Sequence, residues 1–338
     1  MNNFWKQLKK PFLALAPMAG VTDQAFRRVC KEFGADVIYT EFASSEALVR
    51  DSKKTREMIA FDPYEQPVVC QIFGSNPDTF FQSVKILEEM GFAGVDINFG
   101  CPAYKVVKCG GGVSLMRNLD LCFELVQAAC EGSQLPVSIK IRSSVNPKPS
   151  EQEKNFDLSA IENGKGIHAV TALNFVQKIK PLPVQAIMLH ARSYERPFDG
   201  EPDIEMVQNV RTIWDRVLIV NGGITTAEHA LELLKKTKAD GLGIARGAWG
   251  KPWIFHDIKR ALCGEPSDPA YKNFERVKEV IQNHARLAFA LKGNHGISEM
   301  RKHLGWYIRG QKNAQKLRTK LVTANSLEEI SEILNSNM

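Results

Sequence analysis

The chain has 338 residues, 44% of them hydrophobic and 24% charged, with a formal net charge of +6. That length holds one large domain and a smaller one, and the mixed charge excludes a disordered or fibrous chain. The longest apolar runs ("VLIV", "PFLALAPMAG") fall far short of the ~20 residues of a membrane span. "MNNFWKQLKK" has no apolar segment or small-residue cleavage site, so a cytoplasmic protein without membrane attachment is expected.

In chain order, short apolar runs read as strands: Leu13–Pro17, Val37–Glu41, Val68–Phe73, Gly94–Asn98, Val137–Ile141, Ala186–His190, Val217–Asn221 and Gly241–Ala245. Between most of them lie amphipathic segments at Asp23–Glu32, Asp78–Glu89, Leu119–Glu131, Ile204–Trp214 and Thr226–Lys236. Eight strands interleaved with helices predict an α/β fold, a (β/α)8 TIM barrel; a doubly wound sheet, the competitor, usually has fewer strands. Ser143–Lys180 is polar and irregular and reads as a long loop with a helical piece. After "LCGEPSDPAYKNF" no strand follows, and Phe274–Leu291, Ser298–Ile308, Ala314–Leu321 and Leu327–Leu334 read as helices. Ser326 with Glu329 predicts a capping box on the last of them. The expected division is a barrel over 1–262 and a small all-helical domain over 263–338.

The seven cysteines are odd in number and none has CxxC spacing, which argues against a disulfide framework or structural zinc. From Arg286 to Lys320 nine basic residues, Arg301, Lys302 and Lys312 among them, face one acid, Glu299. Such a block suits a polyanion partner or a solvated helical face.

Barrel active sites form at the C-terminal ends of the strands. Here those ends carry "APMAGVTD", Gln71, Asn98 with Cys101, Lys140 with Arg142, His190 with Arg192, "NGGI" and "IARGAWGKPW". Asn221–Gly223 and Ala245–Gly247 follow the seventh and eighth strands, where barrels commonly bind phosphate through backbone N–H groups, and Arg246 adds a charge there. Lys140 is either a cofactor contact or a Schiff-base nucleophile. Gln71 suits the edge of a heterocycle. Together with His190 these residues suit a flavin mononucleotide. Cys101, in "NFGCPAYKVVKCGGGVSLM", has three possible roles. Metal ligation lacks a second ligand at metal spacing, and a nucleophile wants a base that makes thiolate. Beside a flavin, a thiol can give a proton to the carbon next to the one receiving hydride. Gly110–Gly112 is expected to lend flexibility to a loop closing over the site.

"APMAGVTDQAFRRVC", "CQIFGSNP", "DINFGCPAYKVVKCGGGVSLM", "IKIR", "NGGI" and "GKPWIF", with the tail "EMRKHLGWYIRGQKNAQKLRTKLVTANSLEEI", resemble the tRNA-dihydrouridine synthases, most closely the bacterial B-type, from about Phe12 to Ile330. The resemblance implies FMN- and NADPH-dependent reduction of selected tRNA uridines to 5,6-dihydrouridine. Pro17, Met18 and Ala19 would border the flavin, and Gln71 and Lys140 would contact its ring. His190, Asn221, Gly222, Gly223, Ala245 and Arg246 would hold ribityl and phosphate. Asn98, Arg142 and Arg192 would face the substrate, with Arg301 and Lys302 on the tRNA. Cys101 would give a proton to C5 while flavin N5 gives hydride to C6, on a uracil out of its stack. The basic helices would grip tRNA phosphates by shape. A monomer with tRNA as partner, no protein partner and no metal is expected. Ala191 and Ala245 stand where the family has glycine, and Ser143–Lys180 exceeds its usual length. A flavin barrel acting on a small pyrimidine or enoate leaves the basic tail unexplained, and a non-catalytic tRNA binder leaves the strand-end residues unexplained.

Overall fold

The computed structural model describes residues 3–146, 169–311 and 313–336. Eight parallel strands close into a barrel: β1 (Phe12–Leu15), β2 (Val37–Tyr39), β3 (Val68–Phe73), β4 (Gly94–Asn98), β5 (Val137–Arg142), β6 (Ala186–His190), β7 (Val217–Asn221) and β8 (Gly241–Ile244). Each pairs with its sequence neighbours, and β8 pairs with β1. The sequence-derived TIM barrel is therefore the observed fold. Strand ends differ from expectation by a residue or two, because the last residues of several runs leave the ladder to form the mouth.

The helices of the barrel are α1 (Gln24–Glu32), α2 (Ser45–Val49), α3 (Lys53–Ile59), α4 (Pro77–Glu89), α5 (Tyr104–Lys108), α6 (Leu119–Gly132), α7 (Ala172–Ile179), α8 (Ile204–Ile213), α9 (Ala227–Thr237) and α10 (Ile254–Leu262). Their starts are chemical: Asp23 accepts the N–H of Phe26 at 3.0 Å, and Asp203 that of Met206 at 3.0 Å. Helices α2 and α3, absent from the sequence reading, fill the space between β2 and β3. Ser44 and Ser52, which cap them, were the available signal. Of the Ser143–Lys180 segment, Ser144–Val145 and Val170–Thr171 form a short antiparallel pair and α7 occupies its C-terminal end, while the stretch 143–166 read as a loop with a helical piece lies mostly outside the described residues. Residues 147–168 lie outside the described residues.

The mouth and the floor of the barrel differ sharply. At the floor Trp5, only 1% exposed, packs on Phe12 with ring centroids 5.8 Å apart. A Cβ at Gly241 would come within 2.6 Å of the Phe12 ring, so the strand accommodates the plug only with glycine there. Apolar side chains of Ala14, Val37, Val69, Met188 and Ile219 fill the interior above it. Burial of this kind contributes roughly 25 cal/mol per Å² of apolar surface and is the main source of the barrel's stability.

Beyond α10, α11 (Phe274–Lys292), α12 (Asn294–Tyr307), α13 (Ala314–Leu321) and α14 (Leu327–Asn335) build a second hydrophobic cluster that also takes in Val29 and Trp253 of the barrel. Helix α12 starts four residues earlier than expected and runs through Gly296, where a Cβ would lie 2.1 Å from the Ala288 carbonyl oxygen. Close approach of α11 and α12 overrides the weak helix propensity of glycine. The predicted capping box at α14 is half-formed: Ser326 Oγ accepts from Glu329 N at 3.1 Å, but the Glu329 carboxylate takes the N–H of Asn325 instead, at 2.8 Å. Among the described residues no helix is long and apolar enough to cross a membrane.

Candidate active site

The strand ends open on a cleft of about 1650 Å³ that reaches from the barrel axis to the face of α12. It is lined by Pro17, Met18, Ala19, Gln71, Asn98, Cys101, Lys140, Arg142, His190, Arg192, Asn221, Gly222, Gly223, Ala245, Arg246 and Lys302, so every site residue expected from sequence converges there except Arg301. Arg301 is spent within the helical domain, donating from Nε to the Ala324 carbonyl at 3.1 Å and from Nη2 to Asn325 Oδ1 at 2.6 Å.

On one side of the mouth, β3, β4 and β5 carry a buried chain of hydrogen bonds. Strand register sets Gln71 beside Asp96 and Asp96 beside Ser138. Ser138 Oγ donates to Asp96 Oδ1 at 2.7 Å, and Gln71 Nε2 donates to Asp96 Oδ2 at 2.7 Å. Asn98 Nδ2 donates to Gln71 Oε1 at 2.9 Å. Asn98 Oδ1 then accepts the backbone N–H of Gly100 at 3.1 Å and of Cys101 at 2.9 Å. Burial raises the Asp96 carboxyl to about 6.

The Cys101 thiol is half-buried, and desolvation raises its pKa, against the opposing pull of a backbone hydrogen bond from Ala103 and the charges of Lys140 and Arg142. It is therefore a neutral S–H at neutral pH, able to give a proton. The glycines behind it have a packing role. Gly112 has φ +62°, and a Cβ there would sit 2.6 Å from the Cys101 carbonyl oxygen and 2.9 Å from Val106 Cγ1. Val113 N–H donates to that same carbonyl at 3.1 Å. Gly110 and Gly112 serve a left-handed turn packed against Cys101. Arg142 clamps the loop from the other side, donating from Nε to the Gly100 carbonyl at 2.8 Å and from Nη1 to the carbonyl of Ser193 at 3.2 Å.

The opposite side, from the C-terminal end of β5 round to β8, is cationic. Lys140, Arg142, Arg192 and Arg246 lie close enough to His190 to push its pKa well below the usual value, after burial itself. The ring is thus a neutral imidazole. Lys140 is itself lowered to about 8, by desolvation first and Arg142 second. Acids offset part of this charge: Asp96 acts on Lys140, Glu195 on Arg142, and Glu201 and Asp199 on Arg192, the last three acids being exposed. Gly222 and Gly223 have φ +113° and +74°, and a Cβ at Gly222 would meet the His190 ring at 2.9 Å. Asn221 Nδ2 donates to the Gly243 carbonyl at 2.6 Å, tying the two turns together. A surplus of cations around a glycine turn fits the phosphate of a nucleotide, and a neutral imidazole with a carboxamide fits its polar middle.

The third wall joins the barrel to the helical domain. Trp249 stacks on Trp306 of α12, centroids 4.3 Å apart and planes 7° apart, and points its indole N–H at Met18 Sδ, 3.2 Å away. Lys302 and Arg309 line the cleft beside them. Sequence reasoning missed Asp96, Trp249, Trp306 and Phe198, and had Arg309 only as a member of the basic block. Asp96 and Asn98 share the inward face of β4 by the two-residue strand period, which was the signal available for Asp96.

The profile of the family described as Dihydrouridine synthase (Dus) matches residues 14–337. The chain belongs to the dihydrouridine synthase family. Its relatives include a probable tRNA-dihydrouridine synthase of Rickettsia bellii, 32% identical over 308 residues, spanning 90% of this chain and 88% of the relative. A tRNA-dihydrouridine synthase B of Shewanella oneidensis is 32% identical over 328 residues, spanning 96% and 94%. Among solved structures, morphinone reductase in complex with tetrahydroNAD superposes with a TM-score of 0.52 at 12% identity, over 78% of this chain and 90% of that one, a likeness of fold. Family membership accounts for the motifs lying at strand ends.

Proposed function

We propose that this chain is a tRNA-dihydrouridine synthase, as its relatives are named, and that it uses FMN and NADPH to reduce the 5,6 double bond of selected tRNA uridines. The observation that carries the reading is a protonated thiol, Cys101, at the lip of a cleft whose far wall is cationic and glycine-turned. FMN would supply the hydride for C6 of the uracil, with NADPH as the reductant.

The chain's own residues do the rest. His190, Asn221, Gly222, Gly223, Ala245 and Arg246 hold ribityl and phosphate; Gln71 and Lys140 touch the ring system; Pro17, Met18 and Ala19 border it. Asn98 and Arg192 orient the uracil. Cys101 gives its proton to C5, which fixes the order of charge: a neutral thiol before the step, a thiolate after it. Arg142 keeps the cysteine loop in register. Lys302, with the exposed Arg286, Lys316, Arg318 and Lys320, meets tRNA phosphates; Lys312 belongs to the same block and lies outside the described residues. Residues 1–262 form the catalytic unit and 263–338 the tRNA-binding one, acting as a monomer in the cytoplasm.

The test is a visible absorption spectrum of the purified protein. Flavin bands that bleach with NADPH and recover on adding tRNA without dihydrouridine support the reading. Bands that bleach and ignore tRNA point to a small-molecule reductase. Absence of bands even after adding FMN removes the cofactor assignment.

A further inference from the structure

We propose that Asp96 is a positioning residue: its carboxylate fixes the hydrogen-bond direction of Gln71 and Asn98 and so presents Cys101 to the substrate. The inference rests on the function proposed above for its meaning in catalysis, but its geometry is independent of that function.

The direction of the chain follows from groups that have no choice. The backbone N–H groups of Gly100 and Cys101 can only donate, so the Asn98 atom facing them, at 3.1 and 2.9 Å, is its oxygen. Asn98 Nδ2 therefore faces Gln71, and the Gln71 atom 2.9 Å away is its oxygen. Gln71 Nε2 is left facing residue 96 at 2.7 Å, where only an acceptor serves. Asp96 is that acceptor, and its other oxygen takes the Ser138 hydroxyl at 2.7 Å. Both amides could flip in isolation; the carboxylate at one end and two peptide N–H groups at the other leave one arrangement. Asp96 is fully buried, as are Gln71 and Asn98 to within a few per cent, so water offers no substitute partner. An unmatched link would leave a buried polar group without a bond, which favours a shift of the cysteine loop over tolerance of the mismatch. A residue that never touches the substrate thus controls where a thiol two hydrogen-bonded side chains away is held.

Chain direction, rather than charge alone, makes a specific pattern of variants. In D96A the acceptor is lost; kcat for uridine reduction falls about 100-fold, as for a misplaced reacting group, with KM for tRNA changed less than threefold. In D96N the amide oxygen can still face Gln71 and its NH2 can face Ser138 Oγ, so most of the D96A loss is recovered. In N98D the new carboxylate accepts from both Cys101-loop N–H groups and from a flipped Gln71, whose oxygen then opposes Asp96. D96N/N98D supplies a donor to that oxygen and closes the chain with its central amide reversed. The double variant is therefore expected to have a higher unfolding midpoint and a higher kcat than N98D alone. The proposal is overturned if D96N is as impaired as D96A, or if D96N/N98D is no better than N98D by either measure. Should wild-type protein form no dihydrouridine, the proposed function fails, and the unfolding midpoints of N98D and D96N/N98D still decide the hydrogen-bond chain. D96A failing to fold leaves the decision with that same pair.

Discussion

The two halves of the barrel mouth are built on opposite principles. From β3 to β5, donors and acceptors are matched one to one, from Ser138 through Asp96, Gln71 and Asn98 to the Cys101 backbone. From β6 to β8, Arg192 and Arg246 spend donors on carbonyls of the 198–200 loop and carry charge that the exposed Asp199 and Glu201 offset only in part, next to a glycine turn. The first half satisfies itself and holds a piece of its own chain still. The second is left electrostatically incomplete and is satisfied by an anionic ligand. A buried network that is complete orders a reactive group; one that is deliberately open binds something.

Cys101→Ala tests the first half most severely. Loss of the proton donor should cut single-turnover reduction of tRNA about 10²–10⁴-fold while flavin content and bleaching by NADPH persist. An unimpaired rate would remove Cys101 from proton transfer and leave the ordered half without its purpose.

Asp96 gives a pH signature of the same half. Its carboxyl lies at about 6, raised by burial from 3.8, so the folded protein binds a proton that the unfolded chain has lost between those values. Asp96's own contribution to stability should fall by up to about 3 kcal/mol as pH rises from about 4 to about 6 and be level above that, against the opposite slope of the buried histidines His190 and His284, whose pKa values burial lowers. The stability difference between wild type and Asp96→Asn, read from denaturant midpoints across the range, should shift in the wild type's disfavour as pH rises; a difference that stays constant with pH would remove Asp96 as the titrating group.

In the second half, Arg246→Ala removes one charged contact, expected to weaken FMN binding by about 1.5–3 kcal/mol, read by flavin titration of the stripped protein. The same change should leave the denaturant midpoint of the flavin-free protein within about 0.5 kcal/mol, since Arg246 is exposed. Equal losses in both experiments would erase the contrast between the halves. The smallest effect belongs to the wall across the cleft. Lys302→Ala should lower tRNA affinity several-fold and reduce the slope of log affinity against log salt by about 0.7–0.9, without changing flavin binding.

The locations of Cys101, Lys140, His190 and the "NGG" and "ARG" turns were legible because strand ends can be read from hydrophobic runs and the barrel puts its chemistry there. The direction of the Asp96 chain was hidden, since it depends on register between three strands 25 to 42 residues apart in sequence. The packing role of the triple glycine was hidden for a related reason. Glycine by itself signals freedom, and only the packed loop reveals that Gly112 is there because the Cys101 carbonyl leaves no room for a side chain. Likewise the basic tail reads as one block, yet Lys292 pairs with Asp23 and Glu299, and Arg301 caps the α13–α14 loop, so part of that charge is structural.

By itself the sequence determined the barrel, the order of its strands and which residue types stand at their C-terminal ends, because alternating burial and local caps are properties of short segments. Which of those residues face one another, and that a tryptophan from α12 stacks on one from the barrel to wall the cleft, only the tertiary structure decided. Closing a parallel sheet brings distant strands into register, and the hydrogen bonds, desolvation and charge that define the site arise only at that closure.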